Sequence, residues 1–458
     1  MRTKFKPAGF AIALAGVGVS AAMAQAGAGA IDGRWDANLV RPNGDTIPFR
    51  LDISGDGANT KGTFYNGFEP FDGSTSGLYK DGNLTLNVDH YLSSIHATLK
   101  NGELVGEVAT QNRASTGAYG FKAVRHVDVA EPKDVPQIAG NYILPLGTPS
   151  AKGEKAFHFI VEQRGAEIAA TILRVDGDTG AYTGSFKDGK WRLSHFDGSR
   201  PGILEVTPNE DGTLGVEQNP STSQAKAKQV AQTASSRAYG EEAPIDSRYT
   251  PKLIAYKTNV ALAKGLPQPE NYETHTTVRD KNEKFAFNFP DVDGKLISNE
   301  DSRFKNKVVL AIVTGTWCPN CHDEAQYLVQ LDKKYRDKGL AIVALDFEEP
   351  EQQGSLDREK AFVKQYGVEY TYLIAGAPAE MWEKVPQAVN LNTWPATIFI
   401  GRDGLVKGIH SGFASPASGE FNEQLKAEFT SKIEALLAEK AGSSVAATAV
   451  ALESAKGQ

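Results

Sequence analysis

The chain has 458 residues, of which 45 are glycine and only two are cysteine, and its formal net charge is −7. This length exceeds that of one ordinary domain and predicts two or three separately packed units. The negative charge argues against a nucleic-acid-binding protein.

The first 24 residues have the features of an export signal. Three basic residues precede an apolar run from Ala8 to Val19, and the small-residue cleavage site Ala22-Met23-Ala24 follows. The run is rich in glycine and shorter than the roughly 20 residues that span a bilayer. We therefore expect an exported protein, periplasmic or otherwise extracytoplasmic, without a stable membrane anchor.

Residues 31–218 alternate short apolar stretches with glycine turns, which predicts mainly antiparallel β-structure. The pattern occurs twice. Asp32-Gly33-Arg34-Trp35 is matched 107 positions later by Ala139-Gly140-Asn141-Tyr142, and Tyr79–Gly82 is matched by Phe186–Gly189 at the same spacing. A duplicated N-terminal region explains this repeat, whereas chance similarity between glycine turns is the alternative.

A linker is predicted after the β-rich region. Ser221–Glu242 has no apolar periodicity, and Tyr249–Lys264 has a helical pattern that Gly265 and Pro267 end. The predicted division of the chain is a signal peptide (1–24), two β-rich units (31–130 and 136–218), a linker with a helix (219–275), an α/β domain (276–440) and a disordered tail (441–458).

Strands alternate with amphipathic helices in residues 276–440, which is typical of a sheet with helices packed against it. Val308–Val313 is continuously apolar and is predicted to be a central strand, buried on both faces. Leu340–Leu345 is predicted as a second central strand. The other predicted elements are helices at Lys360–Tyr366 and Glu420–Lys440 and a hairpin of Ala396–Ile400 with Leu405–Ile409.

The two cysteines, Cys318 and Cys321, lie between the first central strand and the following helix. A bridge between residues three apart closes a very small loop, so it would stabilise the fold little. At the start of a helix, free backbone N–H groups and the helix dipole favour a thiolate. We predict that Cys318 is a redox nucleophile and that Cys321 is the buried cysteine that resolves the mixed disulfide.

At this point the sequence resembles the TlpA/ResA-like thiol-disulfide oxidoreductases of the thioredoxin superfamily. The resemblance covers roughly residues 285–440 and rests on Phe287–Asp291, Asn306–Leu310, the WCPNC segment Trp317–Cys321 and the segment Trp394–Gly404. It implies a C-terminal thioredoxin-like α/β fold that exchanges disulfides with protein substrates, acting as a reductase. It also implies a membrane thiol-transfer protein as electron donor, and we expect no cofactor and no metal.

The resemblance assigns further residues to the site. Pro395 matches the cis-proline that faces the CxxC motif, and Glu324 matches a glutamate that acts in proton transfer. Glu324 is also interpretable as a first-turn acid that favours the helix dipole. The candidate site residues are Trp317, Cys318, Cys321, Glu324 and Pro395.

Two residues depart from the family pattern. Gln326 stands where the family often has a proline, which puts a helix kink in question. The bulky Trp394 precedes Pro395, which puts the substrate preference in question. The pair Pro319-Asn320 does not by itself determine whether the motif reduces or oxidises its substrates.

Two other chemistries remain open for the motif. Cys318–His322 also spells C-x-x-C-H, the attachment motif of a c-type haem, although Met381 is the only methionine left as a distal ligand after export. A copper or zinc carrier would use Cys318 and Cys321 with a distant histidine such as His410.

A third alternative gives the main function to the β-rich half. Trp35, Trp191 and Phe196 would line a binding face in that case, although aromatic residues on strands are more often part of a core.

Overall fold

The computed structural model describes residues 31–41, 44–112, 115–128, 130, 132–218, 252–350, 352 and 354–439. The predicted export signal (1–24), the larger part of the predicted linker (219–251) and the predicted tail (441–458) lie outside these ranges. In the described part, two antiparallel sheets of nine strands each precede a mixed sheet of five strands with helices packed against it.

The first sheet is a continuous antiparallel arrangement whose strands follow the order β4-β3-β2-β1-β9-β8-β7-β6-β5. Its strands are Gly33–Val40 (β1), Thr46–Ser54 (β2), Lys61–Asn66 (β3), Glu69–Gly73 (β4), Ser76–Lys80 (β5), Asn83–Val88 (β6), Ser93–Lys100 (β7), Glu103–Asn112 (β8) and Ser115–Arg125 (β9). Alternate residues of β2 are buried, as expected for strands with one face on a core. A bridge between Gly57 and Tyr79 joins the turn between β2 and β3 to β5, the strand at one end of the sheet.

The second sheet closes into a barrel of eight strands, because β11 pairs with both β10 and β12. Its strands are Gly140–Pro145 (β10), Ala156–Arg164 (β11), Glu167–Arg174 (β12), Gly177–Asp178 (β13), Tyr182–Lys187 (β14), Lys190–His195 (β15), Gly202–Pro208 (β16), Leu214–Gln218 (β17) and Leu253–Lys257 (β18). The short β13 is attached to β12 outside this ring.

The two sheets have equivalent strand orders, since adding nine to each strand number of the first gives the neighbours found in the second. An interior hydrogen bond also recurs. Trp35 Nε1 donates to the Ile31 carbonyl at 2.9 Å, and Tyr142 Oη donates to the Ile138 carbonyl at 2.6 Å. These four residues keep the spacing of 107 seen in the sequence.

The predicted helix over Tyr249–Lys264 is wrong in its first part, and the second unit does not end at residue 218. Leu253–Lys257 is β18, which pairs with β10 and β17 and completes the barrel. Among the described residues of this segment, 252–264, only Thr258–Ala263 (α1) is helical. Pairing with two strands outweighs the local helical preference of this segment, because it places Ala255 in the barrel core.

The aromatic residues proposed for a binding face belong instead to the cores of the two sheets. Trp35 and Trp191 are completely buried, and Phe196 is 2% exposed. The interpretation of these three residues as an exposed binding face is therefore wrong.

The C-terminal sheet has the order β24-β23-β22-β26-β27, in which β26 runs antiparallel to its neighbours. Its strands are Val308–Thr314 (β22), Leu340–Phe347 (β23), Thr371–Gly376 (β24), Ala396–Ile400 (β26) and Val406–Ser411 (β27). Two small ladders join Thr277–Val278 (β19) to Ala388–Val389 (β25) and Asn288–Pro290 (β20) to Leu296–Ser298 (β21). The helices are Pro319–Tyr335 (α2), Asp357–Tyr366 (α3), Met381–Lys384 (α4) and Glu420–Ala438 (α5).

The central position predicted for the first apolar strand is confirmed. All seven residues of β22 are buried, and alternate side chains enter different hydrophobic clusters on the two faces of the sheet. Helices α2, α3 and α5 contribute to one cluster, and α4 contributes to the other together with Cys321 of α2. In the part of the chain that the structure describes, no helix is both long and apolar enough to cross a bilayer.

Candidate active site

The WCPNC segment forms the turn between β22 and α2. Cys318 is the N-cap residue of α2, and Pro319 occupies the first helical turn, where its missing N–H costs no hydrogen bond. The Cys318 carbonyl accepts hydrogen bonds from the N–H groups of Cys321 at 3.0 Å and His322 at 3.3 Å. The structure therefore confirms that Cys318 lies at the start of a helix.

Pro395 lies against the cysteine turn, although it is 77 positions further along the chain than Cys318. The Trp394–Pro395 peptide bond is cis, and the Cys318 thiol donates to the Trp394 carbonyl at 3.3 Å. The indole rings of Trp317 and Trp394 pack with their centroids 5.3 Å apart. The structure thus brings Trp317, the cysteines and Pro395 together, since β26, which follows Pro395, pairs with β22, which precedes the motif.

Both cysteines are thiols with little exposure, 5% for Cys318 and 2% for Cys321. Burial raises the pKa of the Cys321 thiol well above its usual range, and its contact with Cys318 raises that pKa further. A thiol with a raised pKa stays protonated until a base removes its proton. The raised pKa of the buried Cys321 thiol is compatible with its predicted role as the cysteine that resolves the mixed disulfide.

Glu324 lies on α2, one turn after Cys321, and is 1% exposed. Its Oε1 accepts a hydrogen bond from Thr397 Oγ1 at 2.5 Å, whereas its Oε2 has no hydrogen-bond partner among the described residues. Burial raises the pKa of Glu324 to about 8. A carboxyl group with a pKa near neutrality can both take up and return a proton. The chain shows no interruption of α2 at Gln326.

A buried charged cluster, not predicted from the sequence, contacts the cysteine turn through Thr316, the residue before Trp317. It consists of Thr316, Asp346, Glu348, Glu349, Arg358 and Glu359. Arg358 binds Glu348 and Glu349 and donates from Nε to Thr316 Oγ1 at 2.9 Å, and Thr316 donates to Glu348. The available sequence signal was a pair of adjacent glutamates that begins three positions after the predicted central strand Leu340–Leu345. Their arginine partner on α3 was not identifiable, because no motif links the two segments.

We predict that Arg358→Ala destabilises the protein by about 3–5 kcal/mol, the usual cost of removing one partner of a buried ion pair. The reason is that the buried carboxylates of Glu348 and Glu349 would lose their shared cation, and burial already raises the pKa of the neighbouring Glu359 to about 7. Urea unfolding measures the change. Arg303→Ala, which removes an exposed arginine paired with Asp301, is the control and should change stability by less than about 1 kcal/mol.

The geometry of His322 disfavours the haem alternative. The ring is completely buried, with Nδ1 2.9 Å from Tyr366 Oη and Nε2 2.7 Å from the Thr316 carbonyl. Both ring nitrogens are thus engaged, whereas a haem ligand needs one of them for iron.

Among the described residues, no cluster of metal-ligand side chains includes the two cysteines of the alternative metal carrier. His410 lies on β27 and groups with Glu273 and Glu428. In the described ranges, the two groups that bring three ligand-type atoms within 4.8 Å of one another include neither cysteine.

Comparison with known proteins identifies the domain. The sequence profile of the AhpC/TSA family matches residues 280–409. Thiol-disulfide oxidoreductase ResA from Bacillus thuringiensis subsp. konkukian is 33% identical over 139 residues, which cover 30% of this chain and 73% of that protein. Thioredoxin-like protein YneN from Bacillus subtilis is 32% identical over 128 residues, which cover 27% of this chain and 69% of that protein.

Solved structures with similarity include a thiol:disulfide interchange protein of the thioredoxin family from Chlorobium tepidum TLS. It is 23% identical, and the match covers 35% of this chain and 99% of the other, with a TM-score of 0.26.

The matched family segment contains both the cysteine turn and Pro395. The similarity to ResA extends over most of the length of that relative. Through its C-terminal thioredoxin-like domain, the chain belongs to the ResA/TlpA-like thiol-disulfide oxidoreductases.

Proposed function

We propose that Cys318 and Cys321 are the redox couple of this oxidoreductase and that it reduces disulfides of extracytoplasmic proteins. The observation that carries the proposal is the position of the Cys318 thiol, at the N-terminus of α2 and 3.3 Å from the carbonyl that precedes Pro395. The helix N-terminus favours the thiolate, and the thiolate is the form that attacks a disulfide.

The proposed cycle transfers two electrons to the substrate. The Cys318 thiolate attacks one sulfur of a substrate disulfide, and the other substrate sulfur leaves as a thiolate. Cys321 then loses its proton and attacks Cys318, which releases the second substrate thiol and leaves a Cys318–Cys321 disulfide. An external dithiol must reduce this disulfide before the next cycle, and a membrane thiol-transfer protein is the donor we propose.

Glu324 is the proton acceptor that we propose for the second step. The charge of Glu324 raises the pKa of Cys321. The pKa of Glu324, about 8, lies close to the working pH of a neutral compartment. The ionised fraction of Glu324 can accept the Cys321 proton and return it to the departing thiolate. Thr397, which holds the carboxyl group, is a supporting residue that the sequence did not indicate.

The segment before Pro395 is the proposed substrate-binding element. The Trp394 carbonyl lies beside the Cys318 thiol, and the indoles of Trp317 and Trp394 pack together. An extended substrate segment would bind the backbone at this position and contact the aromatic pair.

We infer that the N-terminal region contains two copies of one β-unit. The equivalent strand orders, the repeated Trp35 and Tyr142 hydrogen bonds and the constant spacing of 107 support this inference. Export before folding, directed by residues 1–24, would place both units and the redox domain in the same compartment.

The reduction potential of the Cys318–Cys321 couple tests the proposed direction. For a reductase we expect a value below about −250 mV, in the range of reducing dithiols. A value above roughly −150 mV would contradict the proposed direction, because dithiols of that potential act as oxidants. Equilibration of the intact protein with dithiothreitol or glutathione buffers gives this value.

A further inference from the structure

The β-rich half makes direct contact with Asn320, one of the two residues between the cysteines. Asn320 Nδ2 donates to the Asp176 carbonyl at 3.0 Å, and Arg200 Nη1 donates to Asn320 Oδ1 at 3.3 Å. Asp176 follows β12 and Arg200 follows β15, so both belong to the second barrel. The side-chain amide inside the redox motif is therefore held from both its ends by another domain.

Arg200 also reaches the helix behind Cys321. Its Nη2 lies 3.6 Å from Asp323 Oδ2 and 3.2 Å from Asp197 Oδ2. The two carboxylates have side chains that are 1% and 0% exposed, and the side chain of Arg200 is 16% exposed. Burial alone would raise the pKa of Asp197, but His195 and Arg200 lower it. The cluster thus holds one guanidinium between two buried carboxylates, next to the start of α2.

Further contacts fix the β-rich half on this face of the redox domain. The Asp178 carboxylate accepts hydrogen bonds from Ser415 N and Ser418 Oγ, both at 2.7 Å. From the first sheet, the ring of Tyr91 packs on His322 with the ring centroids 4.3 Å apart. Both N-terminal units therefore touch residues that follow a cysteine of the motif.

We propose that Arg200 is a positioning residue of the redox site, through which the second barrel sets the reduction potential of the dithiol. The proposal rests on the assignment of Cys318 and Cys321 as the redox couple. Arg200 fixes Asn320 and Asp323, and its positive charge adds to the positive end of the α2 dipole. The β-rich half is then a part of the redox site, not a separate module.

The sign of the effect follows from the charges. A cation near the helix start stabilises a thiolate and so favours the reduced protein, which makes the couple more oxidising. Without Arg200, Asp197 and Asp323 lose the positive charge of the guanidinium that lies between them. When the negative charge of Asp323 is removed, less of the positive charge of Arg200 is neutralised near the start of α2. Substitutions at Arg200 and Asp323 should therefore shift the potential in opposite directions.

The test is the glutathione equilibrium of the full chain. Two molecules of reduced glutathione convert the protein disulfide to a dithiol and become one molecule of oxidised glutathione, so two electrons and two protons are transferred. For Arg200→Gln we expect the equilibrium constant to fall about tenfold, which corresponds to about −30 mV. Asp323→Asn should raise it. Arg200→Lys, which keeps the charge, should lie between Arg200→Gln and the parent protein.

Arg192→Gln is the matched control, because Arg192 is an exposed arginine of the same barrel that pairs with Glu205. It should leave the equilibrium constant unchanged. Equal constants for the parent, Arg200→Gln and Asp323→Asn, or shifts of the same sign, would overturn the proposal even if the variants are less stable. If Arg200→Gln does not fold, the equilibrium constants of Asp323→Asn and Arg200→Lys test the proposal instead. A parent protein without any reversible couple would instead refute the assignment of the cysteines.

Discussion

Cys318→Ala should reduce disulfide exchange roughly 10³-fold or more, the scale on which enzymes lose activity with their nucleophile. The reason is that Cys318 is the thiol at the helix start and beside the Trp394 carbonyl, while Cys321 is more deeply buried and its pKa is raised. The rate of insulin reduction with a dithiol donor measures the effect. Cys321 is the only other cysteine of the sequence, and because its side chain is buried we expect that it cannot replace Cys318.

Cys321→Ala is the paired variant, and it should behave differently. Cys318 would still attack the substrate, but the mixed disulfide could not be resolved and would accumulate as a covalent complex. Non-reducing electrophoresis and mass spectrometry detect this complex. Full turnover by Cys318→Ala, or accumulation of the complex in Cys318→Ala and not in Cys321→Ala, would show that the roles are reversed or that the chemistry lies elsewhere.

Glu324→Gln should slow the resolution step and change the pH dependence of stability. The folded protein keeps the Glu324 proton up to a pKa of about 8, whereas the ordinary value is 4.5. The stability associated with this group is therefore fully present below about pH 4.5 and is lost as the pH rises to about 8. Between pH 4.5 and 7, Glu324→Gln should gain about 3 kcal/mol in stability relative to the parent. Decay of the mixed disulfide should slow roughly 10²-fold.

Urea unfolding at several pH values tests the stability effect, and single-turnover kinetics tests the rate. Glu423→Gln removes a glutamate whose side chain is 75% exposed on α5 and serves as the control for both. The control should follow the parent at every pH. If the stability difference between Glu324→Gln and the parent were the same at pH 4.5 and pH 7, Glu324 would not be a buried acid that retains its proton. An unchanged decay rate would remove its role in proton transfer.

The site residues that the sequence revealed share a local signal. Cys318 and Cys321 follow a continuously apolar strand and begin a helix, so their position could be derived from the pattern alone. Pro395 and Glu324 were indicated only by family resemblance, because no local rule connects them to the cysteines. The structure explains why both residues lie near the cysteines. Pro395 precedes β26, which pairs with β22, and Glu324 lies on α2, one turn after Cys321.

The residues that the sequence did not reveal depend on contacts between distant segments. Arg200 lies 120 positions before Asn320, and β18 pairs with strands that precede it by more than 30 positions across a polar stretch. Local propensity predicted a helix for this segment. Its strand conformation depends on pairing with β10 and β17, which are brought beside it only in the folded barrel. The glycine turns with constant spacing predicted a duplicated β-unit, and the equal strand orders of the two sheets support that inference.

The most direct test of the central claim is to locate the bond that forms when the intact protein is oxidised. The protein is equilibrated over a series of glutathione ratios, its free thiols are alkylated, and peptides are analysed by mass spectrometry. We expect one reversible two-electron transition in which Cys318 and Cys321 lose reactivity together and become linked to each other. Cysteines that remain alkylated at every ratio, or that form only separate adducts with glutathione, would contradict the assignment of this pair as the redox centre.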